Sequence, residues 1–278
     1  MSVLLTRRRA LVLGGAVLAT PITPVWADGI ILSSRGAGEA PPQGIRVPSS
    51  SGGFPDPHRD QVASTPVHFA AAASPQTLGS LNVSSGLTNA FLIAGIALTN
   101  ARPISSVTWG AQTMTAIGSL AGTTATAYLY GLIAPTAGTQ TLTVTWTGGT
   151  ATGNIFAVSY KNINQTTPTY GFASASGTSA APAISVSSSP GDVCVDCATM
   201  IGQASLPLQT KLTIDNAGTW GFGMSEAAGS ASVMFHWTNS SSSAWVDIAC
   251  ALKDGTVGAC SNSLNFTQAC NSAYVVVL

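Results

Sequence analysis

The sequence predicts an all-β protein: an antiparallel β-sandwich, jelly-roll-like or Ig-like, with one main domain. Three observations lead there. Thr139-Gln-Thr-Leu-Thr-Val-Thr-Trp-Thr147 alternates β-branched hydroxyls with apolar side chains, the period of a strand with one wet and one buried face. About a dozen short apolar runs follow one another between residues 61 and 255, separated by Gly, Pro, Asn and Ser turns and with no helical periodicity. Composition agrees: 45% of the 278 residues are hydrophobic and only 7% charged, against about 25% charged in an average soluble domain. Ser, Thr, Asn and Gly take the polar role instead, and they suit strand faces and tight turns.

Taken in order, the chain opens with Thr6-Arg7-Arg8-Arg9 and the apolar run 11–19, and reaches small residues at Val25 and Ala27. Basic, apolar and small-residue parts in that order predict a signal peptide over residues 1–27, cleaved between Ala27 and Asp28. The apolar run is about half the ~20 residues a spanning helix needs, so no membrane span is expected after processing. The arginine pair after Thr6 is similar to a twin-arginine export signal, with Ala10 where Phe is usual; general secretion is the other route. An exported location follows, whether periplasm, cell surface or medium. Three of the ten basic residues lie in this segment, which leaves seven against ten acidic residues, a net of −3. Nucleic-acid binding needs a basic patch, and none is present. Residues 28–60 are rich in Gly, Pro and Ser and read as a linker or arm.

Strands are expected over 67–70, 81–84, 91–98, 107–109, 114–117, 125–133, 139–147, 154–160, 183–187, 193–200, 212–214, 233–238 and 245–253. Residues 91–98, apolar on both faces, should be a central strand or a short buried helix. Strands 125–133, 139–147 and 154–160 should form a three-stranded meander with Leu142, Val144 and Trp146 inside. Several segments in this order, Ile104–Thr115, Tyr128–Gly138, Ala157–Pro168, Val186–Asp196 and Trp245–Lys253, carry a resemblance. Over residues 80–255 the chain resembles a β-sandwich module that recurs in bacterial secreted and phage-associated proteins. The resemblance implies a sandwich and no shared catalytic motif. The chain departs from it in Cys194, Cys197 and Cys250, which stand where aliphatic residues are usual.

Candidate chemistry is sparse. Cys194 and Cys197 have metal-knuckle spacing, but residues three apart on one strand face opposite ways, so both read as core, as does Cys250. His58, His68 and His236 have no paired-ligand spacing; no metal and no cofactor are expected. Asp196 and Asp247 offer a carboxylate pair for glycoside hydrolysis, yet their strand positions place each more simply on a solvated sheet face. Aromatics are the better lead. Trp220 and Phe222 lie in Ala217-Gly-Thr-Trp-Gly-Phe-Gly223, where glycines suggest an exposed loop tip and a flat platform for polysaccharide; the alternative is a loop that folds back as a core lid. After residue 255, a tail carries Cys260 and Cys270, ten residues apart in a polar loop and expected to form a disulfide in an exported chain. The β-branched run Val275–Val277 would then add an edge strand to the sandwich or pair with another subunit.

The functional expectation is a secreted or surface β-sandwich, not an enzyme, that acts by binding, to glycan among other ligands, or by assembly with surface proteins. A structural component of a phage-like particle, such as a decoration or fibre module among virion proteins, is the second expectation. A glycan-active enzyme is the third.

Overall fold

The computed structural model describes residues 58–205 and 209–256, together with the backbone of two short strands, Leu11–Leu13 and Ala16–Leu18. Those two pair antiparallel within a leading unit, Met1–Pro55. The second unit, Asp56–Leu278, holds the sandwich. The signal cleavage site at Ala27 and Asp28, the Cys260–Cys270 pairing and the tail beyond Thr256 lie outside the described residues.

Two large antiparallel sheets carry the fold. The first runs in the order Thr115–Ala121, Ala125–Ile133, Phe91–Thr99, Ala151–Tyr160, with Arg59–Val62 and Val67–Ala72 both pairing with the outer side of Ala151–Tyr160. The second runs Thr169–Ser179, Ser243–Leu252, Val193–Ile201, Trp220–Ala228, Thr210–Asp215. Their inner faces pack directly: a Cβ on Gly95 of the first sheet would lie 2.2 Å from Met224 Sδ and 3.1 Å from Cys197 Sγ of the second. Smaller sheets cover the outer faces. Leu142–Trp146, paired with Gln76–Leu78 and Ile104–Trp109, lays Trp146 against Phe69 of the first sheet, ring centroids 5.4 Å apart. Ala183–Val186 and Val233–His236 form a ladder whose Ile184, Val186, Val233 and Phe235 rest on Cys194, Ala249 and Ala251 of the second. Each large sheet therefore has a core on both sides. That is why 91–98 and 193–200 are buried at every position rather than alternately.

The halves repeat each other. In each, an outer strand is followed by a short strand, a central strand, a two-strand hairpin, a second short strand and a last long one. The hairpins even share a register shift, at Ala116/Gly118 and at Lys211/Thr213. The second short strands read Leu142-Thr-Val-Thr-Trp-Thr147 and Val233-Met-Phe-His-Trp-Thr238, with the first, third and fifth residues buried in both. The equivalent strands run in opposite order across the two sheets, so the halves face each other about an approximate two-fold axis. Thr115–Ala121 lies over Thr169–Ser179, where the ring of Phe172 covers Gly118. At the opposite side, Val67–Ala72 meets Thr210–Asp215, where His68 Nδ1 approaches Asp215 Oδ2 at 3.3 Å.

Four sequence expectations need correction. The meander does not form, because Leu142–Trp146 leaves the large sheet and pairs in the covering layer; its buried face is the expected one, Leu142, Val144 and Trp146. Residues 58–60 are not linker: His58 is buried, and Arg59–Val62 is a strand. Thr169–Ser179 was not foreseen, because its Ala, Ser, Gly and Thr residues carry no apolar alternation. Nor was Trp220–Ala228, whose glycines imitate a loop. The glycines have a packing reason: a Cβ on Gly223 would stand 2.2 Å from the Trp237 ring.

Candidate functional site

Asp196 and Asp247 are not on a solvated face. Both are fully buried, on the outer face of the second sheet beneath Trp237 and the covering ladder. Asp196 pairs with Ala249 and Ala198 with Asp247, so the carboxylates are diagonal neighbours on one face. Asp196 Oδ1 accepts from the Ser225 N–H (2.7 Å) and hydroxyl (2.6 Å), and Oδ2 accepts from Trp237 Nε1–H (2.6 Å). Burial pushes its pKa up to about 7, against the pull of those donors. Neither Asp247 oxygen makes a well-formed protein hydrogen bond, and the Ile248 backbone N–H is near enough to pull its pKa down. Burial first, and then the Asp196 charge, hold its carboxyl well above the usual range. A glycosidase needs its carboxylates on either side of a sugar. These are closed in a core, so the pair is structural.

A stability prediction follows. Both groups bind protons more tightly folded than unfolded, so their contribution is full below the ordinary carboxylate pKa and is lost as pH rises through the raised values. Each pH unit over which a buried carboxyl resists ionisation corresponds to about 1.4 kcal/mol. The melting temperature of Asp247→Asn relative to the parent should rise by several degrees between pH 5 and pH 9. Equal melting shifts at the two pH values would show that Asp247 does not titrate in the core.

A second polar group ties the two large sheets together. Arg59 Nη1 donates to Glu226 Oε1 at 2.7 Å and the Tyr160 hydroxyl donates to Oε2 at 2.8 Å. Arg59 and Tyr160 belong to the first sheet, Glu226 to the second. Burial, then the Glu226 charge, raises the Tyr160 pKa well above its ordinary value. The same buried carboxylate thus accepts from a charged and from a neutral donor.

The expected aromatic platform is absent from its place. Trp220 opens a strand and is half-buried against Ala97, Leu98, Asn154 and Thr199; Phe222 is 1% exposed and belongs to the core. No loop tip presents them. Cys194, Cys197 and Cys250 are separate buried thiols, as the face argument required, with Cys194 pushed up to about 11 and Cys250 to about 12 by burial. His236 is half-buried and follows the buried Phe235 on its strand. Among the described residues no three metal-ligating side chains gather, and no helix is long and apolar enough to cross a membrane.

What the structure does gather is one side of the sandwich. Of the four edges of the two large sheets, the pair at one side carries Arg59, Asp60 and His68 on one sheet and Lys211 and Asp215 on the other. The opposite pair, Thr115–Ala121 and Thr169–Ser179, contains no charged residue. Among the described residues, three of the four large exposed hydrophobic side chains stand there: Ile133, Tyr170 and Phe172, at 40%, 37% and 41% exposure. Beside them is an open apolar recess of about 370 Å³, lined by Phe91, Ile117, Leu132, Ile133 and Pro168. Soluble sheets normally blunt free edges with charge, proline or covering segments, and an uncharged edge is a surface ready for another strand. Sequence reasoning missed this side because Thr169–Ser179 has no strand signature; the signal that could have found it is an eleven-residue stretch without charge between two long strands. The chain matches no family model, no curated protein and no solved structure.

Proposed function

We propose that the chain is an exported β-sandwich module that works by non-covalent assembly, with its uncharged side as the contact surface. The observation that carries this reading is the contrast between the edges: charge marks the two at one side and is missing from the two at the other. The leader-like segment with Arg7, Arg8 and Arg9 supports export, and the resemblance to modules of secreted and phage-associated proteins supports a role without chemistry of its own. Polysaccharide binding is the weaker half of the binding expectation, since Phe222 sits in the core and Trp220 is only half-accessible. A phage-like particle would use the same edge, but virion proteins assemble in the cytoplasm and a cleaved leader sides with a surface protein. Fractionation of the native producer tests the reading. Mature chain in the exported fraction, migrating in a complex larger than one chain, is expected. Cytoplasmic chain that migrates alone would contradict it.

A further inference from the structure

We propose that the uncharged side binds a second copy of this chain, with Thr169–Ser179 pairing antiparallel with itself across a two-fold axis. The inference rests on the assembly reading above and names its partner. Among the described residues, Thr169–Ser179 is hydrogen-bonded on one side only, to Ser243–Leu252. After a register shift at Tyr170/Ala173 it runs regularly from Ala173 to Ser179, opposite Ala249 to Ser243. Seven extended residues span roughly 24 Å, and the N–H and C=O groups along it that point away from Ser243–Leu252 have no backbone partner among the described residues. An antiparallel strand is its own complement in backbone hydrogen bonding, so the pairing requires nothing particular of the side chains.

The side chains decide between a copy and a stranger. Across a two-fold axis, residues near the centre face their own kind. Any charged residue there meets a like charge, which is destabilising. An unrelated strand escapes that restriction, because it can answer a charge with its opposite. Ala173-Ser-Ala-Ser-Gly-Thr-Ser179 meets the stricter condition: it is small and uncharged throughout, and Ser174, Ser176, Gly177 and Thr178 are exposed. The edges at the other side would oppose Arg59, Asp60 or Lys211 to itself. The neighbouring edge adds to the contact. Thr115–Ala121 ends the first sheet at the same side, so a copy docked there meets both sheets and covers Phe172 and Ile133.

Ser176, the central residue of the seven, gives the test. Sedimentation of the purified full chain at tens of micromolar should show a dimer. Ser176→Lys and Ser176→Glu should each be monomeric, with melting temperatures within about 2 °C of the parent, and an equimolar mixture of the two should restore a dimer. A parent that stays monomeric, or a dimer indifferent to either substitution, overturns the proposal. Should the variants not fold, a photoreactive phenylalanine analogue at Phe172 in the chain from the exported fraction decides instead. A product of twice the chain mass supports the second copy. A discrete product with a different protein overturns the second copy and leaves the assembly reading standing. A link within one chain, to residues 257–278, overturns the second copy, and no product at all overturns both readings.

Discussion

Trp237→Ala should cost more stability than any other single truncation in the second half of the chain. Trp237 is fully buried between Ala198, Met200 and Ala204, and its ring lies flat on Gly223. Removing a buried indole costs about 3–5 kcal/mol through lost burial and the cavity left behind. It also removes the indole N–H that donates to Asp196 Oδ2, and a stranded buried acceptor adds about 1–3 kcal/mol. Against a total of roughly 5–15 kcal/mol for a folded domain, the variant should be close to unfolding at room temperature. Trp237→Phe separates the contributions, since it keeps most of the packing and loses the hydrogen bond. Trp146 holds the equivalent place in the first half, but its Nε1–H bonds the Gly149 carbonyl in the loop that follows, at 2.8 Å, and no carboxylate. Trp146→Phe should therefore cost clearly less than Trp237→Phe in urea unfolding. Equal costs would mean that the Asp196 bond adds nothing.

Arg59→Ala is the second large effect. The guanidinium is the charged partner of Glu226, whose side chain is 3% exposed while that of Arg59 is 29% exposed. Removing one member of a buried pair costs about 3–5 kcal/mol; the partial exposure of Arg59 puts this case near the lower end. Glu226→Gln in the same background should recover part of the loss, because it removes the buried charge while Tyr160 can still donate to the amide oxygen. Chemical denaturation of the two single variants and the double variant measures this directly. Strictly additive losses would show that Arg59 and Glu226 are not coupled across the sheets.

The fold class was legible because buried strands announce themselves: Phe91-Leu-Ile-Ala-Gly-Ile-Ala-Leu98 and the Thr139–Thr147 alternation have few other readings. Pairing was less legible. Leu142–Trp146 alternates as a sheet-edge strand would, whether it joins the large sheet or covers it, so periodicity could not expose the false meander. The internal repeat left only a thin trace, the shared apolar-x-apolar-x-Trp-Thr at 142–147 and 233–238, because packing requires similar volume and patterning rather than similar residues. The acids at 196 and 247 were misplaced for a physical reason. Alternation assigns Asp to the wet face, and nothing local records that a second layer roofs that face. Trp220-Gly-Phe-Gly223 misled in the same way, since its glycines make room for packed neighbours, Gly223 for the Trp237 ring and Gly221 for the backbone of Gly202 and Ala204, rather than for a turn.

The central claim is that Thr169–Ser179 is covered when the protein is at work. Amide hydrogen exchange on that strand tests it most directly, with the chain taken once in its native exported state and once diluted to a single chain. In the assembled state the N–H groups of residues 173–179 that point away from Ser243–Leu252 should exchange slowly, and on dilution they should exchange at the rate of open backbone. Fast exchange in both states, with protection changing elsewhere instead, would contradict the account.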